Sequence, residues 1–108
     1  MKLAGNGLTG SLDEGVTKLR NLETLDIQRN VLTSLPNALA DLVRLKVLNI
    51  AENRFASLPF DILRHLPLIE ILAAKNALGG VLVAEEVDEL PLLKVLDVTG
   101  NALKSISE

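Results

Sequence analysis

Cysteine is absent from this chain of 108 residues, and so are tryptophan and tyrosine. Without thiols the protein has no disulfide bond, no thiolate ligand for a metal ion and no cysteine nucleophile. The chain also lacks an Asn-x-Ser/Thr glycosylation sequon. These absences together favour a reducing, intracellular setting, so we expect a cytoplasmic location. Because Phe55 and Phe60 are the only aromatic residues, aliphatic side chains must fill almost the entire core.

Strong charge and long apolar runs are also lacking. The 11 Lys and Arg residues and the 14 Asp and Glu residues give a formal charge of −3, and the basic residues are scattered along the sequence. Nucleic-acid binding usually requires a basic stripe. No apolar run approaches the roughly 20 residues that cross a bilayer, and the first residues lack the apolar stretch of a signal peptide. We therefore expect no nucleic-acid partner and no membrane insertion.

The chain does contain an internal repeat. Apolar residues recur at relative positions 1, 4, 6, 11 and 14 of a unit, and position 9 is always asparagine. Residues 1–8 fit the back half of a first unit, and the second to fifth units begin at Leu22, Leu45, Leu68 and Leu93, at spacings of 23, 23 and 25 residues. Five asparagines share this register: Asn6, Asn30, Asn53, Asn76 and Asn101. Such self-similarity indicates a solenoid.

The spacing L-x-x-L-x-L-x-x-N-x-L resembles the leucine-rich repeat family over essentially the whole chain. The Leu-Pro endings at Leu35-Pro36 and Leu58-Pro59 are similar to the intracellular class of 23-residue repeats related to Ras-suppressor, Shoc and scribble-type proteins. The segment Leu8–Leu12 instead resembles the repeat ending of plant receptor ectodomains. The resemblance implies a curved α/β solenoid that binds protein, with short parallel strands on its concave face and helical or 3-10 turns on its convex side.

The residues support the same fold on physical grounds. Leu25 and Ile27 alternate with polar neighbours, which is the period-2 pattern of a half-buried strand. Each unit should therefore contribute one short strand to a parallel sheet, and stacked units should bury a continuous core. The asparagine of each unit is predicted to satisfy backbone groups in a buried turn, because its amide both donates and accepts hydrogen bonds.

The return segments between strands are predicted to be helical. Pro36 and Pro59 suit the first position of a helix, where no N–H is needed. Helical turns are expected over residues 36–42, 12–19 and 85–90, and a tight bend is expected at Gly79-Gly80.

Residues 1–108 are predicted to form one array of about five units, of which the first and last are incomplete. Both ends lack the polar caps that solenoids carry. The expectation is a fragment of a longer solenoid.

Catalytic and metal-binding groups are sparse. His65 is the only histidine, and it is expected to be a part-buried residue of the convex side. No Ser or Asp of the repeat pattern is placed to make it a catalytic base. The acidic residues Glu85, Glu86, Asp88 and Glu89 are predicted to form a solvated face, with a calcium or basic-partner contact as the alternative. We therefore predict neither enzymatic activity nor a cofactor or metal.

The concave face is the predicted binding site, because positions 3, 5 and 7 of each unit point outward and are not chosen by the core. The candidate protein-binding residues are Asp26, Gln28, Val47, Asn49, Ala51, Glu70, Leu72, Ala74, Val95 and Asp97. Their apolar members form a centre that acidic residues border, as in protein interfaces. Strand propensity alone also explains valine at such positions, and this alternative remains open.

The function predicted from these residues is an intracellular scaffold or adaptor that docks a protein segment on its concave sheet. Two alternatives remain open. One is the ligand-recognition ectodomain of a receptor, and the other is the substrate-targeting module of a larger enzyme complex.

Overall fold

The computed structural model describes residues 5, 9–11, 18–83 and 90–107. The strands in these residues are, in chain order, β1 (Thr9–Ser11), β2 (Thr24–Asp26), β3 (Val31–Ser34), β4 (Val47–Asn49), β5 (Glu70–Leu72), β6 (Gly79–Val83), β7 (Val95–Asp97) and β8 (Ala102–Ser107). The main sheet is parallel, with the strand order β2-β4-β5-β7. Its register aligns Leu25, Leu48, Ile71 and Leu96. One strand from each of the second to fifth units thus lies at the position that the repeat predicted.

A second set of strands was not predicted. The strand β1 pairs in parallel with β3, and β6 pairs in parallel with β8, so several units contribute two strands. The predicted bend at Gly79-Gly80 is wrong, because these glycines begin β6 and pair with Ala102 and Leu103. Pairing with the next unit holds this segment extended, although its register shifts between Gly80 and Val81.

The return segments differ between units. The second unit has a 3-10 helix at Asn37–Asp41, and the third has a short α-helix, α1, at Phe60–Leu63. Pro36 and Pro59 lie at the N-caps, one residue earlier than predicted, because their carbonyl groups accept the first helical hydrogen bonds. The helical turns expected over residues 12–19 and 85–90 lie almost entirely outside the described residues, as does the acidic run Glu85–Glu89.

The core lies between the main sheet and the return segments. Leu25, Leu48 and Ile71 point inward from the strands, and the accessible surface of each is 0%. Leu39 and Leu63 meet them from the return side and are equally buried. Aliphatic side chains fill most of this core, as the composition requires. Burial of a leucine contributes about 1.5–3 kcal/mol to folding, so each unit depends on its neighbours for coverage.

Buried and partly buried asparagines join successive units through hydrogen bonds. The side-chain oxygen of Asn53 accepts from the Leu32 N–H at 3.0 Å. Its amide nitrogen donates to the carbonyl oxygens of Ile27, at 2.9 Å, and Ile50, at 3.1 Å. One side chain therefore satisfies backbone groups of both the second and the third unit.

The same bonds recur further along the array. Asn76 accepts from the Phe55 N–H at 3.1 Å and donates to the Ile50 carbonyl at 2.9 Å. Asn101 accepts from the Leu78 N–H at 3.1 Å. The structure thus confirms the predicted role for these three asparagines, while Asn6 lies outside the described residues. No buried side-chain nitrogen or oxygen in the described part of the chain lacks a hydrogen-bond partner.

The residue before each asparagine adopts a left-handed backbone conformation. The φ angles are 69° at Gly5, 56° at Arg29, 55° at Glu52, 58° at Lys75 and 69° at Gly100. Glycine adopts this region without steric cost, whereas other residues do not. Position 8 of the unit is therefore a turn position. Glycine at this position in the first and last units, Gly5 and Gly100, indicates the turn in the sequence.

Candidate protein-binding face

The ten predicted binding residues lie on the strands of the main sheet or two residues after them, and none of them is buried. We call this set of ten residues the sheet face. The parallel register brings Val47, Glu70 and Val95 into one row across three strands. A second row contains Asn49, Leu72 and Asp97. Neighbouring strands lie about 4.8 Å apart, so side chains of adjacent units on this face are within contact distance.

Position 5 of the unit has a structural role that sequence reasoning missed. The side chains of Asp26, Asn49 and Asp97 each accept a hydrogen bond from the backbone N–H two residues later, at 3.2, 3.1 and 3.0 Å respectively. Such a bond closes an Asx turn. The recurrence of Asp or Asn at this position was the available signal. Leu72 occupies the same position in the fourth unit and has no side-chain oxygen to make the bond.

Two of the acidic side chains on the face are already engaged within the protein. Asp26 also accepts from the Gln28 side-chain amide at 3.1 Å. Asp97 also accepts from the Thr99 hydroxyl at 2.8 Å. The backbone N–H of Thr99, helped by its hydroxyl group, lowers the pKa of Asp97 below its ordinary value of 3.8. Both carboxylates are therefore held in place by the turn that follows the strand.

The carboxylate of Glu70 is different. It makes no hydrogen bond or ion pair with any residue in the part of the chain that the structure describes. Its neighbours in the register are Val47 and Val95, and Leu72 follows two residues later on the same face. We call Val47, Leu72 and Val95 the apolar trio. Glu70 is thus an unpaired acid among apolar side chains.

The apolar trio is accessible to a partner. Val95 is 42% exposed although it lies in a strand, and Val47 and Leu72 are partly exposed. Ala51 and Ala74 follow the strands and are also partly exposed. The arrangement can bury apolar groups of a partner and can attract positive charge.

His65 is exposed, so the predicted part-buried location is wrong. In the second unit Leu42 is fully buried at the equivalent position, six residues after the proline. In the third unit α1 directs Leu63 and Leu66 into the core instead. The inward-facing side of the return segment is shifted by one residue, and His65 is left in solvent.

The described ranges offer little for metal binding or membrane insertion. Within residues 18–83 and 90–107 no group of three or more His, Asp or Glu residues is arranged to hold a metal ion. No helix in these ranges is both long and apolar enough to span a bilayer.

Comparison with known proteins gives both sequence and structural relatives. A family model described as "Leucine rich repeat" matches residues 1–55. The leucine-rich repeat and calponin homology domain-containing protein 1 of Mus musculus is 35% identical over 79 residues. That match covers 73% of this chain and 11% of the mouse protein, so the chain spans only a small part of this curated relative.

Two similar solved structures come from Arabidopsis thaliana. The ectodomain of the plant membrane receptor kinase GASSHO1/SCHENGEN3, in complex with CASPARIAN STRIP INTEGRITY FACTOR 2, is 28% identical with a TM-score of 0.70. The match covers 88% of this chain and 12% of that one. A chain of the BIR3–SERK2 complex is 27% identical with a TM-score of 0.74, over 95% of this chain and 56% of that one.

Proposed function

Because the chain belongs to the leucine-rich repeat family, whose domains generally mediate protein–protein interactions, we propose that it is a scaffold or adaptor. It holds a segment of a partner protein on the sheet face, which is the concave side of a curved solenoid, in one array of about five units over residues 1–108. The function is binding, without catalysis and without a cofactor. The geometry of the sheet face supports this proposal.

The observation that carries the proposal is Leu72. Three units use Asp or Asn at position 5 to close the turn after the strand, and the fourth unit gives up that bond. A net hydrogen bond contributes about 0.5–1.5 kcal/mol to folding. An outward leucine at the same position gains little from the core in exchange. We expect Leu72 to stabilise a complex instead, in which a partner covers it together with Val47 and Val95.

The arrangement around Leu72 is also that of a protein interface. Interfaces combine an apolar centre with a polar rim, and a few central residues supply most of the binding energy. Here the apolar trio forms the centre, and Glu70 lies between Val47 and Val95 within it. Asp26, at one end of the main sheet, and Asp97, at the other, contribute charge to the rim.

The repeat endings support a proposal for the class of leucine-rich repeat protein. Leu35-Pro36 and Leu58-Pro59, with a period of 23 residues, support membership of the intracellular class, and the segment from Ser34 to Pro59 resembles the C-terminal repeats of leucine-rich repeat-containing protein 40. We therefore propose a cytoplasmic scaffold in signalling.

A second candidate is the ligand-recognition ectodomain of a receptor. Strand β1 lies in the segment Leu8–Leu12 that resembles plant receptor repeats, and one structural neighbour is the ectodomain of a plant receptor kinase. Antibody staining of intact and permeabilised cells separates the two candidates. An ectodomain is stained on intact cells, whereas a cytoplasmic scaffold is stained only after permeabilisation.

The binding face is tested by comparing the proteins that variants of the chain retain from a lysate of its source cells. Leu72→Glu places a charge in the apolar centre, where loss of an anchor costs about 2 kcal/mol or more. It should therefore remove the partners that the parent retains. Glu70→Lys should weaken retention less, and changes to Asp26 or Asp97 should weaken it least, because rim charges mainly affect the association rate.

Arg64→Glu is the control, because Arg64 is exposed on the return side, next to α1. It should leave the retained proteins unchanged. Loss of the partners with Arg64→Glu, together with their retention by Leu72→Glu, would place the binding site on the return side and refute the proposed face. Thermal unfolding of every variant, followed by circular dichroism, verifies that each is folded.

A further inference from the structure

We propose that the partner segment presents a basic side chain, preferentially arginine, whose charged group pairs with Glu70 while its apolar stem lies on the apolar trio. This inference rests on the proposed function and names the chemistry of the partner. It follows from the charge of the face and from the surroundings of Glu70.

The charges of the sheet face are all of one sign. Its ten residues include the acids Asp26, Glu70 and Asp97 and no lysine or arginine. Basic residues flank the face in the sequence, one position before it or one position after it, and none of them forms an ion pair with Glu70. They are Arg29, Lys46, Lys75 and Lys94. Lys46 instead pairs with Glu23 at 3.6 Å. The face is therefore complementary to a positively charged segment.

Glu70 is the acid that a partner must satisfy. The turns that follow β2 and β7 already provide donors to Asp26 and Asp97. The carboxylate of Glu70 has water as its partner until the face is covered. A partner that covered Val47, Leu72 and Val95 with apolar groups alone would strip that water and leave a charge unpaired, which is strongly unfavourable. Binding of an apolar segment that has no positive charge is therefore unfavourable.

Arginine matches both parts of this surface. Its guanidinium group can donate two parallel hydrogen bonds to one carboxylate, and it is more weakly hydrated than an ammonium group. Its methylene stem packs on apolar surface while the charged end remains polar. The juxtaposition of one unpaired carboxylate with three aliphatic side chains therefore favours arginine over lysine.

The test uses a phage-displayed library of random 12-residue peptides, selected on the immobilised 108-residue chain. Peptides that the parent retains and Leu72→Asn does not are those that use the face. Leu72→Asn adds no charge, and asparagine at this position can close the turn as Asn49 does in the previous unit. Parallel selections use Glu70→Gln, Glu70→Lys and the matched control Glu52→Lys. Glu52 is an exposed acid outside the sheet face, so its reversal changes the net charge equally.

The expected result is that Leu72-dependent peptides retained by the parent are enriched in arginine, and less so in lysine, beside apolar residues. Glu70→Gln should lose the basic enrichment and Glu70→Lys should replace it with Asp and Glu, while Glu52→Lys should match the parent. For the most enriched peptide, Glu70→Gln and an Arg→Gln change in the peptide should each weaken binding by about tenfold. The two changes together should weaken it little further, as expected for direct partners.

Three results would overturn the inference. If the peptides selected on Glu70→Lys are still enriched in basic residues, an acid other than Glu70 recognises the charge. Leu72-dependent peptides without a basic preference would refute the cation while leaving the proposed function in place. The absence of any Leu72-dependent peptide would refute both.

Discussion

In the second and third units the strands β2 and β4 have the same length and align residue for residue, whereas the return segments that follow them differ. One return segment forms a 3-10 helix at Asn37–Asp41, and the other forms α1 at Phe60–Leu63. The spacing from one strand to the next is the same 23 residues in both cases. The two units are equally long, yet their strands have the same structure and their return segments have different ones.

The difference shows which interactions specify a unit. On the strand side each buried N–H and C=O group has one partner that fits it, and an unsatisfied group costs about 1–3 kcal/mol. On the return side the requirement is only that apolar volume be filled, and several arrangements can fill similar volume. Hydrogen bonds with unique partners therefore keep the strand side regular, while packing lets the return side vary.

The largest change in the free energy of unfolding is expected on the return side, where Leu42 is buried and the equivalent residue His65 is exposed. Leu42→His should lower the free energy of unfolding by about 3 kcal/mol or more, because it replaces a fully buried leucine with a polar ring. His65→Leu, at the equivalent position of the next unit, should change it by no more than about 0.5 kcal/mol. Urea unfolding followed by circular dichroism measures both, since the chain has no tryptophan for fluorescence. Equal losses for the two variants would mean that both return segments share one register.

The next effect concerns the asparagines. Asn53→Ala should cost about 1–3 kcal/mol, because it leaves the buried Leu32 N–H without its partner. The Ile27 carbonyl loses one of its two bonds and keeps the one from Asn30. Asn101→Ala should cost about half as much, because Asn101 is only partly buried and water can reach some of its partners. The same urea titrations apply, and the Asn53→Ala transition should also broaden as neighbouring units uncouple. A transition that matched the parent would refute the structural role of the asparagines.

The smallest effect is expected at position 8. Gly100→Ala should cost about 1 kcal/mol, because φ is +69° and the new Cβ would lie 3.0 Å from the Lys75 Cγ. Glu52→Gly should stabilise the protein by up to about 0.5 kcal/mol, because it relieves the strain of φ +55° at the cost of some chain entropy. Thermal unfolding midpoints distinguish the two signs. If both variants lose stability equally, the left-handed conformation does not determine which residue is most stable at position 8.

The strand side of the fold was predictable, and much of the return side was not. The alternation of apolar and polar residues around Leu25 predicted the main sheet. The repeated asparagines predicted the hydrogen bonds of position 9, because both features recur at a fixed spacing. The exposure of His65 was not predictable, since it depends on which residues of α1 turn inward. The extended conformation of Gly79-Gly80 depends on pairing with β8, which lies more than 20 residues further along the chain.

The candidate site was predictable in its location but not in its chemistry. Counting positions placed Leu72 between Asn49 and Asp97, and the register confirms this placement. The sequence did not separate the acids of the face, because an aspartate that closes a turn and a glutamate without a partner look equally charged. Only the hydrogen bonds of Asp26 and Asp97 distinguish them from Glu70.

The hydrogen bonds that Asn53, Asn76 and Asn101 make to a neighbouring unit run in one direction along the chain. Asn53 completes the turn of the second unit, Asn76 that of the third and Asn101 that of the fourth. Each turn is therefore finished by residues that the ribosome adds later. Because synthesis proceeds from the N-terminus, a newly made unit keeps open backbone groups until its successor emerges. Maturation of the array is then vectorial, with every unit reaching its final form one repeat behind the growing end.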